Sequence, residues 1–254
     1  MSVEPIPGER GAVVETDRSR LLVIGDYHAG IESVLRSEGV ELPSQATSRR
    51  ERLIELLTET EADRLVILGD LVHSIGKPWD SEREELRALF DAISVPVTLV
   101  KGNHDGEIEP FLTALEQDIT VTAAGGTRIG SVGFVHGHTW PDPDVLEAEI
   151  VCMGHEHPTV RLEDSVGGSR LEQVWLRGAL DPEVFERRYR EHDSQNPPAI
   201  DGELVVFPAF NGQSGGTWVN IEGQEFLSPF LPAGLADGEA YLLDGTRLGL
   251  YDEV

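Results

Sequence analysis

Lysine is almost missing from this chain. Only Lys77 and Lys101 occur among 254 residues, so 18 of the 20 basic residues are arginine, against 46 acidic residues and a formal net charge of −26. A solvated acidic surface poor in lysine is the pattern of a cytosol kept at molar salt, where screening removes self-repulsion, and a halophilic origin is expected. Such a surface excludes passive capture of nucleic acid by a basic patch. A polyanionic substrate stays admissible if metal ions carry the local positive charge. Cysteine is scarcer still: Cys152 stands alone, which precludes an intrachain disulfide and fits a reducing interior. No apolar run approaches the roughly 20 residues of a membrane helix. The N-terminus has no signal-peptide apolar core, so a soluble, cytoplasmic protein is expected. Gly212 to Gly216 lacks the spacing and the lysine of a Walker loop and reads as a turn at a site rim.

What is present is a repeated construction. Leu65-Val66-Ile67-Leu68 runs into Gly69-Asp70, and Leu21-Leu22-Val23-Ile24 into Gly25-Asp26-Tyr27-His28. Val97 to Val100 ends in Gly102-Asn103-His104-Asp105, Gly133-Phe134-Val135 in His136-Gly137-His138, and Ile150 to Met153 in Gly154-His155-Glu156-His157. Short, continuously apolar runs suit strands covered on both faces. Five strands would thus deliver Asp, Asn or His at their C-terminal ends, where layered α/β folds bind ligands.

The intervening segments have helical spacing. Ile31, Val34 and Leu35 form one helix, ended by Gly39. A second carries Leu53, Ile54 and Leu57 behind a Thr47/Ser48 cap, and a third carries Leu86, Leu89, Phe90 and Ile93 behind Ser81. Phe111, Leu112 and Leu115 mark another. Later the period becomes two. Ile119 to Thr122, a Gly125-Gly126 turn and Thr127 to Val135 read as hairpin strands, followed by strands at Leu171 to Leu176 and Glu203 to Phe207. One domain over 1–254 is expected, with a loose lead-in at 1–11, a helix plus Pro-rich loop at 181–202 and a C-terminal hairpin at 236–254 around Asp244-Gly245. Parallel units followed by antiparallel strands predict an α/β architecture of two packed mixed sheets flanked by helices.

Seven of the eight histidines fall at or just after strand ends: His28, His73, His104, His136, His138, His155 and His157. A single histidine there is more often structural than a ligand; seven together are hard to explain as surface decoration. Only His192, on the later helix, reads as an exposed residue. Carboxylates, imidazoles and an amide without thiolates suit Mn, Fe, Zn or Co better than a cysteine-based structural zinc site. The donors outnumber the needs of one tetrahedral ion, so two ions sharing a carboxylate is the economical reading. Cys152, on an apolar run, reads as a buried structural thiol, and Arg187, Arg188 and Arg190 beside Tyr189 as a solvated basic face.

Asp26-x-His28, Gly69-Asp70, Gly102-Asn103-His104-Asp105, His136-Gly137-His138 and Gly154-His155-x-His157, in that order, resemble the five motifs of the calcineurin-like metallophosphoesterases. The resemblance implies a four-layer α-β-β-α sandwich and two divalent ions. Asp26, His28 and His157 would hold one ion, Asn103, His136 and His155 the other, and Asp70 would bridge. His104 and Asp105 would be the catalytic residues, His104 donating a proton to the leaving oxygen while a hydroxide between the metals attacks phosphorus in line. His73 stands where the family often has Asp or Asn, and phosphate contact, support of the ligands and a structural role all stay open for it; His138 is a second candidate for substrate contact.

Gly69-Asp70-Leu71-Val72-His73, Gly154-His155-Glu156-His157-Pro158 and Leu204 to Phe210 followed by Ser214-Gly215-Gly216 are similar to phosphoesterases related to the double-strand-break repair nuclease. Ligase-associated DNA-damage-response endonucleases of bacteria and a similar archaeal group belong there. This implies a manganese-dependent phosphodiesterase on DNA, preferably single-stranded, with Fe, Zn, Co or Ni as other possible metals and a repair helicase or ligase as possible partners. Fold kinship does not fix substrate. Small nucleotides or phosphomonoesters are the alternative substrates, and a non-catalytic scaffold is the alternative of another class.

Overall fold

Along the central strands, alternate residues face opposite ways and both sets are buried. Leu21, Val23, Val66 and Leu68 enter one apolar cluster, while Leu22, Ile24, Leu65 and Ile67 enter another, all with no exposed surface. A strand can be continuously apolar only where both faces of its sheet are covered.

The computed structural model describes residues 2–164, 166–192 and 198–254. The first sheet has the order β1 (Ser2–Pro5), β2 (Gly11–Glu15), β3 (Arg20–Ile24), β4 (Arg64–Ile67), β5 (Val97–Val100) and β6 (Ile119–Thr122). Strands β3 to β6 are parallel neighbours, and β1 and β2 add antiparallel to β3. The second sheet is built from β7 (Thr127–Ile129), β8 (Val132–Val135), β9 (Ile150–Met153), β10 (Thr159–Glu163), β11 (Ser169–Leu180), β12 (Glu203–Val206), β13 (Leu235–Leu242) and β14 (Arg247–Leu250). Its order is β14-β13-β11-β12-β9-β8-β7, with β10 paired to β11, and β8, β9 and β12 run parallel at its centre.

The sheets meet through Leu21, Val66, Leu68, Phe134, Cys152, Val205 and Phe207. Helices α2 (Ala46–Glu59), α3 (Asp80–Phe90) and α4 (Glu109–Thr113) cover the outer face of the first sheet with Leu53, Leu56, Leu86, Leu89 and Leu112. Helices α5 (Pro143–Leu146) and α6 (Pro182–His192) cover the second with Val145, Leu146 and Phe185. The expected four layers, helices–sheet–sheet–helices, are present. Burial pushes the Cys152 thiol far up, as suits an inert core residue.

Several expectations need correction. The lead-in is not loose throughout: Ser2–Pro5 pairs with β2, and Val3 is buried between the sheets. Backbone pairing and one apolar anchor outweigh the local Pro and Gly content. Ile119–Thr122 and Thr127–Ile129 do not form a hairpin. The free edge of β5 takes β6 in parallel, Gly125-Gly126 carries the chain to the other sheet, and the hairpin is β7–β8. Gly126 is at φ 98, and a Cβ there would lie 2.4 Å from the Phe134 carbonyl oxygen. The caps also differ. Gln45 caps α2, with Thr47 and Ser48 inside its first turn, and Trp79 caps α3, its N–H donating to Glu82 Oε2 at 2.6 Å. The C-terminal hairpin is β13–β14, and α6 occupies the expected helix. Residues 193–197 of the Pro-rich loop and the side chain of His192 lie outside the described residues.

One buried ion network ties the helices over the first sheet. Arg49 on α2 donates to Glu32 Oε1 at 3.0 Å, on α1 (Ile31–Ser37), and to Glu85 Oε1 at 2.6 Å, on α3. All three side chains are at most 5% exposed. Removing one partner from a buried network strands its opposite charges. Arg49→Ala is therefore expected to lose about 3–5 kcal/mol of unfolding free energy, read by urea denaturation. A loss near that of an exposed pair, about 0–1 kcal/mol, would contradict this account.

Candidate metal centre

The loops that leave β3 and β4 continue to pair after the strands end. Asp26 N–H donates to the Gly69 carbonyl at 3.2 Å and His28 N–H to the Asp70 carbonyl at 2.9 Å. Segment 209–217, after β12, locks them from the second sheet. Asn211 N–H reaches the Asp26 carbonyl at 3.2 Å, and its side-chain amide donates to the carbonyls of Tyr27 and His28. Asp26, His28, Asp70, His155 and His157 all adopt positive φ, five of the eight non-glycine residues that do so among those described. A left-handed backbone at such residues costs of order 1–3 kcal/mol and persists where surrounding contacts over-determine it, as at ligand clamps. Glycine lets the loops approach: a Cβ on Gly102 would lie 2.2 Å from Asp70 Oδ1.

The donor atoms form three close groups: Asp26, His28 and His157; Asp70, His136 and His155; and His28, His73 and His104. Within each, the atoms lie within 4.8 Å of one another. Asn103 joins the second group, its Oδ1 3.0 Å from His136 Nε2. His138 flanks that group, 5.3 Å from His136 and 6.1 Å from His155 between ring centroids, and its Nδ1 is buried without a partner. His73 and His104 stack at 5.5 Å.

Backbone carbonyls aim the rings. His136 Nδ1–H donates to Leu68 O at 2.7 Å, leaving Nε2 turned toward Asp70 Oδ1 at 3.4 Å. His157 Nδ1–H donates to Gly215 O at 2.7 Å, leaving Nε2 3.2 Å from Asp26 Oδ1. His104 Nδ1 bonds the His73 carbonyl, and its Nε2 is 3.8 Å from Asp70 Oδ2. His28 Nε2 is buried with no hydrogen-bond partner. Imidazoles whose Nδ1 is fixed by a carbonyl, together with the unpartnered His28 Nε2 and two buried carboxylates, fit a divalent cation.

Electrostatics point the same way. Burial works to raise the pKa of Asp26 and Asp70, yet the neighbouring histidines outweigh it and both carboxyls sit below the usual range. Burial disfavours a charged His136, but Asp70 and Asp26 hold it protonated up to about 9. Desolvation pushes His28 down to about 3 and, with His136 adding to it, His155 down to about 4, so both offer neutral nitrogens at pH 7.

Asp105 is the other residue of which a catalytic role is expected. Its carboxylate faces the backbone: Oδ1 accepts from Leu71 N–H at 2.9 Å and Oδ2 from Gly102 N–H at 2.9 Å. It is fully buried, and desolvation followed by the Asp70 charge raises its pKa to about 6. It clasps the Asp70 and Asn103 loops from behind. Three holders escaped the sequence reading: Asn211, the Gly215 carbonyl, and Glu82, which accepts from the His73 and Ser74 N–H groups at 3.1 and 2.7 Å. The signals for the first two were the turn-rich Asn211 to Gly216 segment and the Ser214-Gly215-Gly216 phrase within it.

Residues 19–178 match the family model described as calcineurin-like phosphoesterase. Among solved structures, the nuclease MPE of Pseudomonas putida is 19% identical with a TM-score of 0.58, over 97% of this chain and 100% of that one. Yfce, a phosphoesterase from E. coli, is 18% identical with a TM-score of 0.37, over 90% of this chain and 96% of that one.

Asp105→Asn turns an amide nitrogen against a backbone donor. The expected loss is about 2–3 kcal/mol of stability in chelator-treated protein, read by denaturation. A carboxylate that served only chemistry would leave stability unchanged.

Proposed function

The chain belongs to the calcineurin-like phosphoesterase family, and on that footing we propose that it hydrolyses phosphodiesters of single-stranded DNA at a centre of two divalent ions. The observation that carries the proposal is the convergence of Asp26, His28 and His157 beside Asp70, His136 and His155. In this reading Asp26, His28 and His157 hold one ion, Asn103, His136 and His155 the other, and Asp70 reaches both. When bound, the ions would supply Lewis acidity and a template for in-line displacement; the donor set suits Mn, Fe, Zn or Co, and the resemblance to the repair-nuclease phosphoesterases makes manganese the first candidate.

The chain's own residues do the rest. The Leu68 and Gly215 carbonyls hold His136 and His157 so that each presents Nε2. Asp105 fixes the loops of Asp70 and Asn103 from behind. His104 has Nδ1 engaged by the His73 carbonyl, so Nε2 is its nitrogen for giving a proton to the leaving oxygen. The choice of DNA rests on the Gly69 to His73 and Gly154 to Pro158 phrases, and is in keeping with a fold shared along nearly its whole length with a protein named a nuclease.

The direct test is cleavage of end-labelled single-stranded DNA at high KCl with manganese. Wild type is expected to cut, chelation to stop it, and His104→Ala to lower kcat by about 10²–10⁴-fold while still binding metal. Intact DNA with hydrolysis of an aryl phosphodiester would retain the metal centre and remove the DNA assignment.

Metal must also displace a proton from His136. Manganese binding at pH 7 is expected to release protons, with apparent affinity rising as pH climbs toward about 9, where His136 loses its proton. Calorimetry in buffers of different ionisation enthalpy reads this. Proton uptake, or affinity independent of pH, would contradict the ligand assignment.

A further inference from the structure

A cavity of about 340 Å³ opens between residues 9–10, the start of α2 and segment 210–213. It lies at the metal end of the first sheet. Gly11 pairs with Ile24, the last residue of β3, and α2 runs back toward the start of β4, so its N-terminus is at the strands' C-terminal end. Segment 211–215 links the two places. A Cβ on Gly212 would be 3.4 Å from Arg10 Nη2, and Gly215 O holds His157, three residues and at most about 11 Å further on.

The lining is out of character for so acidic a chain. It carries three guanidiniums, Arg10, Arg49 and Arg52, against one carboxylate, Glu9. Arg49 is taken by Glu32 and Glu85, and Arg52 by Glu9, Glu55 and Glu59. Arg10 remains. Its Nε donates to the neutral Gln173 side chain, and it makes no ion pair among the described residues. Burial lowers its pKa, with Glu9 offsetting part of that. A half-buried guanidinium without a carboxylate is an unmet demand for an anion. Around it stand Gln45, Ser48 and Gln213, which bring neutral amide and hydroxyl groups rather than carboxylates to the wall. Helix α2, 14 residues long, brings a first turn with no acidic residue and no side-chain cap; its dipole adds to the same preference.

We propose that this cavity is a second phosphate subsite, in which Arg10 receives a backbone phosphate of the nucleic-acid strand a short way along from the phosphodiester at the metal centre. The inference rests on the DNA reading above and adds where the strand runs: from the metal centre along 211–215 toward α2. It also supplies a backbone contact from a half-buried cation beside the segment that braces the metal centre. Arg10 is here a substrate-positioning residue whose effect grows with substrate length.

The test compares wild type, Arg10→Gln and Arg10→Lys on an end-labelled oligodeoxynucleotide and on an aryl phosphodiester, across a KCl series. In Arg10→Gln, the ratio of kcat/KM for oligonucleotide to that for the aryl ester is expected to fall about tenfold, through KM. The slope of log KM against log salt should drop by about 0.7, one phosphate contact on a single strand, and Arg10→Lys should restore most of that slope. An unchanged ratio and slope would overturn the subsite, as would equal losses on both substrates, which would make Arg10 a purely structural partner of Gln173. If wild type hydrolyses the aryl ester but not DNA, the DNA reading fails on its own. Anisotropy of the labelled oligonucleotide then decides the subsite: binding by wild type that weakens in Arg10→Gln supports it, and no binding, or equal binding, overturns it.

Discussion

Two carboxylates, Asp26 and Asp70, are buried at the ends of neighbouring parallel strands, and the site depends on what neutralises them. Each is at most 2% exposed, with histidines as its counter-charges. A buried carboxylate without compensation is far too costly to keep. The compensation within the chain is protonic at His136, held protonated up to about 9 by those carboxylates against the opposing effect of burial, and the same carboxylates raise His157. Asp26 and Asp70 would be compensated with more charge by a bound divalent ion, to which the neutral imidazoles would be ligands. The left-handed backbone at five site residues, the close approach of Gly102 to Asp70 and the clasp of Asp105 all keep the carboxylates and rings together before any ion arrives.

The central strands and the residues they deliver were legible because both follow from short-range pattern. Leu65 to Leu68 is apolar without interruption because both faces of its sheet are covered, and the next two residues are the loop that leaves it. Features decided by distant partners were not legible. Ser2–Pro5 is a strand only because β2 offers it an edge, and Thr127–Ile129 leaves Ile119–Thr122 because β5 and β8 compete for them from different sheets. Asp105 looked like a companion of His104 because they are adjacent in sequence. Its carboxylate instead meets Leu71, whose backbone comes close only once β4 and β5 pair. The Gly215 carbonyl that aims His157 is 58 residues away in the chain.

Charge frames the substrate question. Phosphate-backbone affinity normally comes from free Lys and Arg and decays with salt. Here many of the arginines are spent on acidic neighbours, at Arg20, Arg49, Arg52, Arg83, Arg161, Arg177 and Arg247 among others. Recognition of an anionic polymer must then concentrate where positive charge is introduced or left over. On the proposed reading, ions at the Asp26–Asp70 centre would introduce it, and Arg10, beside Gly212 of the segment that braces that centre, is one of the cations without an ion pair among the described residues. Together they would give an acidic protein a local positive track from the metal centre toward Arg10.

Anomalous diffraction from manganese-soaked crystals tests the central claim most directly. The account predicts two peaks about 3.5–4 Å apart, one beside Asp26, His28 and His157, the other beside Asn103, His136 and His155, with Asp70 in reach of both. A single peak, or two peaks that do not share Asp70, would contradict it.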